Sequence, residues 1–138
     1  DPGGMLVAQV RERLREEVRV EAIPGPSALT AALSIAGVPC DEFVFLGFLP
    51  HKKGRETLFK AIAQEARTTV FYESPHRIQK ALTSLSKVLT KKQVTVVREI
   101  TKIHESVVSG TPAEVEAYFT EHPDELRGEC VVVVSRAK

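Results

Sequence analysis

Apolar positions recur along this chain at two alternating spacings. Leu6, Val10 and Leu14, with Val7 beside them, fall at helical intervals, while Arg11, Glu12, Arg13, Arg15, Glu16 and Glu17 cover the other side as a solvated face. Val18 to Ile23 then alternates apolar and polar as a half-buried strand does. Pro24-Gly25-Pro26-Ser27-Ala28 makes a stiff corner, with Ser27 able to cap the apolar helix from Leu29 to Ala36 that Gly37 closes. Phe43 to Pro50 predicts a buried strand, and a helix follows with Leu58, Ile62 and Ala66 on one face. Thr68 to Tyr72 predicts another strand, leading directly into an amphipathic helix that carries Ile78, Leu82, Leu85 and Leu89. Strands are expected at Val94 to Val97 and Glu105 to Gly110. Thr111-Pro112-Ala113-Glu114 spells a capping box whose helix buries Val115, Tyr118 and Phe119. The unbroken run Cys130 to Val134 suits a central strand covered on both faces. Such alternation predicts an α/β (mixed α+β) fold.

Length and composition narrow this picture only slightly. The chain has 138 residues and a formal net charge of +1, with apolar and charged fractions ordinary for a soluble domain. Near-neutrality gives no global electrostatic case for nucleic acid, so any RNA-binding surface must be local. No apolar run is long enough to span a bilayer, and none of the signal-peptide pattern is present. Cys40 and Cys130 lie far apart in apolar surroundings and read as reduced cytoplasmic packing residues. The opening Asp1-Pro2-Gly3-Gly4 lacks an initiator Met and reads as the start of a fragment or excised domain. Gly37-Val38-Pro39-Cys40-Asp41 is the best candidate boundary, dividing residues 1–38 from residues 39–138.

Candidate chemistry gathers at two predicted strand ends. In Phe71-Tyr72-Glu73-Ser74-Pro75-His76-Arg77, Ser74 suits an N-cap and Pro75 the first helical position, yet His76 and Arg77 bring cations to the positive end of a helix. That misplacement implies a nearby carboxylate or an anionic ligand. Arg98, Glu99, Lys102 and Glu105 form a second charged set beyond another strand. If the two strands are neighbours, the sets meet either as a ligand pocket or as a structural ion-pair network; spacing does not choose between them. The Pro24–Ala28 corner is likewise a plain turn or a place where small side chains admit a ligand to free N–H groups. His51-Lys52-Lys53-Gly54-Arg55 is a basic loop and a weak phosphate signal. The four histidines show no metal-ligand spacing, and no phosphate-loop or nucleophile-elbow motif occurs.

Five stretches in this order resemble one family. They are Asp1-Pro2-Gly3, Pro24-Gly25-Pro26-Ser27-Ala28, Gly47-Phe48-Leu49-Pro50 with Lys52 and Arg55, Phe71 to Arg77, and Arg98-Glu99-Ile100-Thr101-Lys102 with Glu105. Together they are similar to the bacterial small-subunit ribosomal RNA cytidine 2′-O-methyltransferases of the tetrapyrrole methylase superfamily. The resemblance implies two α/β domains with S-adenosylmethionine between them. Residues 1–38 would be the tail of the first, and residues 39–138 the second, built on a mixed five-stranded sheet flanked by helices. The glycine-rich front of that family is missing from the sequence, and Gly4 stands where an aromatic residue is frequent.

Position by position, the resemblance implies cofactor contacts at Ser27, Ala28, Tyr72 and Glu73, with Gly110 and Gly128 as weaker candidates for walls of the adenine pocket. It implies an RNA side made of Lys52, Arg55, His76, Arg77 and Arg98, with Lys102. Glu99, Lys102 and Glu105 would be the catalytic set, with Glu99 or Glu105 either accepting the hydroxyl proton or, as we favour, holding the neighbouring cations. It further implies small-subunit ribosomal RNA as substrate, a homodimer, a cytoplasmic location, and a fragment inactive alone. A porphyrinoid methylase and a non-catalytic RNA-docking or dimerisation module remain as alternatives.

Overall fold

The computed structural model describes residues 3–136, so Asp1 and Pro2 of the first family-like stretch lie outside the described residues. Five helices and five strands follow one another as α1 (Gly4–Leu14), α2 (Ala28–Ala36), β1 (Phe43–Phe48), α3 (Arg55–Gln64), β2 (Thr68–Glu73), α4 (Pro75–Val88), β3 (Lys92–Arg98), β4 (Ser106–Gly110), α5 (Pro112–Glu121) and β5 (Cys130–Arg136). The strands form one sheet in the order β1-β2-β5-β3-β4. Only β1 and β2 run parallel; β5 is antiparallel to both of its neighbours, as is β4 to β3. The fold is mixed α/β with a five-stranded mixed sheet, as expected.

Alternation sorts the sheet into two packed faces. Phe71, Val94, Val96, Val132 and Val134 pack under α3, α4 and α5, whose Phe59, Ile62, Ile78, Leu82, Leu85, Val115 and Phe119 complete the larger core. Val70, Val97, Val131 and Val133 meet Ala32, Leu33 and Ala36 of α2 on the other face. Helix α2 therefore covers the middle of the sheet although it precedes the expected boundary. Gly37 ends it in the left-handed conformation (φ 64°) that glycine adopts without strain. The capping box on α5 forms: Thr111 Oγ1 accepts from the Glu114 N–H at 3.3 Å and the Glu114 carboxylate accepts from the Thr111 N–H at 2.8 Å. Replacing Thr111 with Ala should cost about 1 kcal/mol in urea denaturation.

Several expectations fail for identifiable reasons. Val18 to Ile23 pairs with no strand and is exposed, with Ile23 at 91%. Alternation marks a half-buried face only where a neighbouring strand exists to complete the sheet. Helix α1 forms, yet buries none of its side chains within the described residues. Strand β1 is an edge strand, and its Phe43, Phe45 and Phe48 are exposed. Neither Ser27 nor Ser74 makes a side-chain capping bond. Ala66 lies beyond α3, and Tyr118 is only half-buried. Cys40 is exposed, whereas Cys130 is buried; both thiols are free.

Candidate functional site

Sheet register puts the two charged stretches at the same end of the sheet but not side by side, because β5 separates β2 from β3. Glu73 pairs with Cys130, Cys130 with Arg98, and Arg98 with Ser106, so the ends of β2 and β3 flank the start of β5. Residues directly opposite in antiparallel strands share a face. Glu73, Cys130 and Arg98 thus lie on the face that carries Phe71, Val132 and Val96. One position back, Tyr72 pairs with Val131 and Val131 with Val97, on the α2 face.

Glu73 resolves the misplaced charge on α4. Its side chain is 0% exposed, and it accepts from Arg55 Nη2 at 2.6 Å, from Arg77 Nε at 2.8 Å and from the Ser74 N–H at 2.9 Å. Burial opposes ionisation, but those three donors outweigh it and hold the carboxyl below its ordinary range. Arg55, itself buried, also donates to the Pro50 carbonyl at 3.2 Å and lies 5.1 Å over the Phe59 ring. It is a structural cation and not a surface one. Arg77 is partly exposed and touches both ring nitrogens of His51, with Nη1 2.8 Å from Nε2. His51, Lys52, Lys53 and His76 are exposed beside it.

The second stretch forms a braced loop. Glu99 and Thr101 both have positive φ, at 50° and 64°. The Glu99 N–H donates to the Glu129 carbonyl at 3.1 Å, while Glu99 Oε1 accepts from the Glu129 N–H at 3.1 Å and from Lys102 Nζ at 2.9 Å. Lys102, then the Glu129 N–H, holds the Glu99 carboxyl below its usual value, and Glu99 raises Lys102 in turn. A carboxylate held below its usual value is a poorer base, and its contacts are those of a brace. Gly128, at φ 75°, lies beneath it: a Cβ there would fall 2.0 Å from Glu99 Oε1. Glu105 Oε2 accepts from the Thr101 N–H at 2.6 Å. Arg98 is buried, and its donors reach Ser106 Oγ at 3.2 Å, the Arg127 carbonyl at 3.4 Å and Glu125 Oε2 at 3.5 Å.

The implied cofactor residues divide. Ala28, Tyr72 and Glu73 line a hollow of about 160 Å³ together with Phe48, Glu129, Cys130 and Val131. An adjoining cleft of about 610 Å³ starts at the same Ala28 and includes Ser27, Ile100 and Thr101. Gly128 sits in the turn beside the hollow. Gly110 does not join them: it pairs with Val94, at the opposite end of the sheet, and abuts Glu114. Phe48 and Val131 escaped the sequence reading. Phe48 is re-aimed by an irregularity in β1 at Gly47 (φ 63°), and its ring meets Tyr72 edge-on at 5.4 Å. The Gly47-Phe48 dipeptide was the available signal. Burial pushes the Cys130 thiol up to about 11, so it is an unreactive wall.

The family model described as Tetrapyrrole (Corrin/Porphyrin) Methylases matches residues 2–116, and the chain belongs to that family. A curated relative, the Ribosomal RNA small subunit methyltransferase I of Xylella fastidiosa strain Temecula1, is 42% identical over 139 residues, covering 99% of this chain and 50% of the relative. The chain thus spans about half the length of that protein. Among solved structures, the methyltransferase CobJ matches with a TM-score of 0.64 at 19% identity, over 99% of this chain and 62% of that one. The uroporphyrin-III C-methyl transferase of Thermus thermophilus, complexed with S-adenyl homocysteine, gives 0.57 at 20% identity, over 96% and 58%. Both show the shared fold.

Proposed function

We propose that this chain is the sheet-bearing part of an S-adenosylmethionine-dependent methyltransferase that modifies a cytidine 2′-hydroxyl of small-subunit ribosomal RNA in the cytoplasm. The observation that carries this is identity of 42% across 99% of the chain to a relative named for small-subunit ribosomal RNA methylation. The site residues suit the chemistry. Phe48, Tyr72 and Val131 offer apolar surface for a purine, and the α2 start, with no side-chain cap on Ser27, leaves first-turn N–H groups open to a polar ligand. The cofactor would supply an activated methyl group there. A hollow of about 160 Å³ is small for a ligand of that size, and the adjoining cleft at Ala28 supplies the remainder.

Arg77, Lys52 and His76, with His51 and Lys53, would take RNA phosphates. Arg55 and Arg98 act behind them as braces, as do Glu99, Lys102 and Glu105. Residues 1–38 would belong to the cofactor-side domain, with α2 as its contact on the sheet, and the working enzyme would be a homodimer. This chain alone should bind without methylating, since it spans half of its relative. Calorimetric titration with S-adenosylmethionine is expected to show saturable binding that Tyr72→Ala weakens at least tenfold. Absence of any binding would leave a docking or dimerisation module as the better reading.

A further inference from the structure

Ile103 is 94% exposed, at the tip of the loop between β3 and β4. Exposed apolar side chains are common and mean little singly. Ile23 is nearly as exposed, but it lies in a stretch without helix or strand. Ile103 differs because its loop is held at both ends. The Lys102 N–H donates to the Glu99 carbonyl, the Glu105 N–H to the Lys102 carbonyl, and the Thr101 N–H to the Glu105 carboxylate. Glu99 is locked onto the Gly128–Glu129 turn. The tip is therefore presented in one conformation at little entropic cost to a ligand.

The cavity beside it selects what that ligand is. About 570 Å³ in volume, it is lined by Arg98 and Arg127 but also by Glu99, Glu105, Asp124 and Glu125. Even counting Lys102 against Glu99, carboxylates outnumber cations, so a phosphate would be repelled. A nucleobase is neutral, with an apolar face and an edge of mixed donors and acceptors. An exocyclic amine would give to the carboxylates, and ring nitrogens and carbonyl oxygens would take from arginine. The exposed His51, Lys52 and Lys53 and the partly exposed Arg77 lie on the β2 side of the row, and Arg98 lies two interstrand steps from Glu73, roughly 10 Å. Backbone and base would thus meet different parts of one strand-end surface.

We propose that the Glu99–Glu105 loop is a preformed base-contacting element, in which Ile103 packs against the face of an RNA base turned out of its stack. This rests on the RNA reading above. The chain would be mixed with unmodified small-subunit ribosomal RNA transcript, following affinity, its salt dependence, and dimethyl sulfate reactivity at cytosine N3 and adenine N1. Wild type should bind, protect the contacted base at its ring nitrogen and enhance reactivity at the bases left unstacked beside it. Ile103→Ala should bind about tenfold more weakly, lose the enhancements, and keep both salt slope and melting temperature, because the residue is exposed and uncharged. Ile103→Phe should restore the enhancements.

Unchanged affinity and reactivity in Ile103→Ala, with wild-type binding intact, would overturn the proposal and leave the RNA reading standing. A change in oligomeric state by sedimentation would also overturn it, assigning Ile103 to a protein interface. No RNA binding by wild type would remove both.

Discussion

Replacing Glu73 with Ala should destabilise the chain by about 3–5 kcal/mol, whatever its effect on activity. The variant strands Arg55, whose side chain is 10% exposed, with no carboxylate to neutralise it, and releases Arg77 and the Ser74 N–H as well. Urea denaturation monitored by circular dichroism would measure the loss. The double variant Glu73→Leu with Arg55→Met should recover much of it, because an apolar pair avoids stranding either charge. A single variant as stable as wild type would show that the network is not what holds this corner. The pH dependence follows from the same bonds. The folded carboxyl sits below its unfolded value of about 4.3, so the stabilisation is complete above that pH and is lost as pH falls through the folded value.

Gly128→Ala should have the second-largest effect. An L-residue at φ 75° costs about 1–2 kcal/mol in backbone strain, and its Cβ would fall 2.0–2.5 Å from the Glu99 side chain. Glu99 must then swing away, giving up Lys102 and the Glu129 N–H and freeing the loop that carries Ile103. A double-mutant cycle with Glu99→Ala isolates that share. In the Glu99→Ala background only the backbone cost should remain, and the two substitutions should be strongly non-additive. Additive losses would mean that Glu99 does not rest on Gly128. Hydrogen exchange should also show the Glu99 to Glu105 amides losing protection in Gly128→Ala.

Both variants act on residues that the sequence marked without revealing their role. Strands β2, β3 and β5 were legible because runs such as Val131-Val132-Val133-Val134 need cover on both faces. Helix α4 was legible from Ile78, Leu82 and Leu85. Val18 to Ile23 was misread because alternation does not state whether a partner strand exists. Phe43 to Phe48 was rightly read as a strand but wrongly as a buried one, because apolar content does not distinguish a central strand from an edge. The charged residues posed a harder problem. Glu73, Arg55 and Arg98 were found as candidates, but whether a cation faces solvent or a buried carboxylate depends on register, which puts Glu73, Cys130 and Arg98 in one row. Gly110 was a candidate wall of the adenine pocket by resemblance, whereas the antiparallel turn of β4 carries it to the far end of the sheet.

The position of β5 bears on how the chain comes off the ribosome. Of the five strands in this sheet it is made last, yet Thr69 of β2 and Val94 of β3 both pair with its Val134. Until residues 130–136 have emerged, β2 and β3 each hold a bare apolar edge and cannot share a sheet. Such edges invite pairing with other nascent chains, so this molecule should lean on chaperones during synthesis and show late, abrupt acquisition of protease resistance.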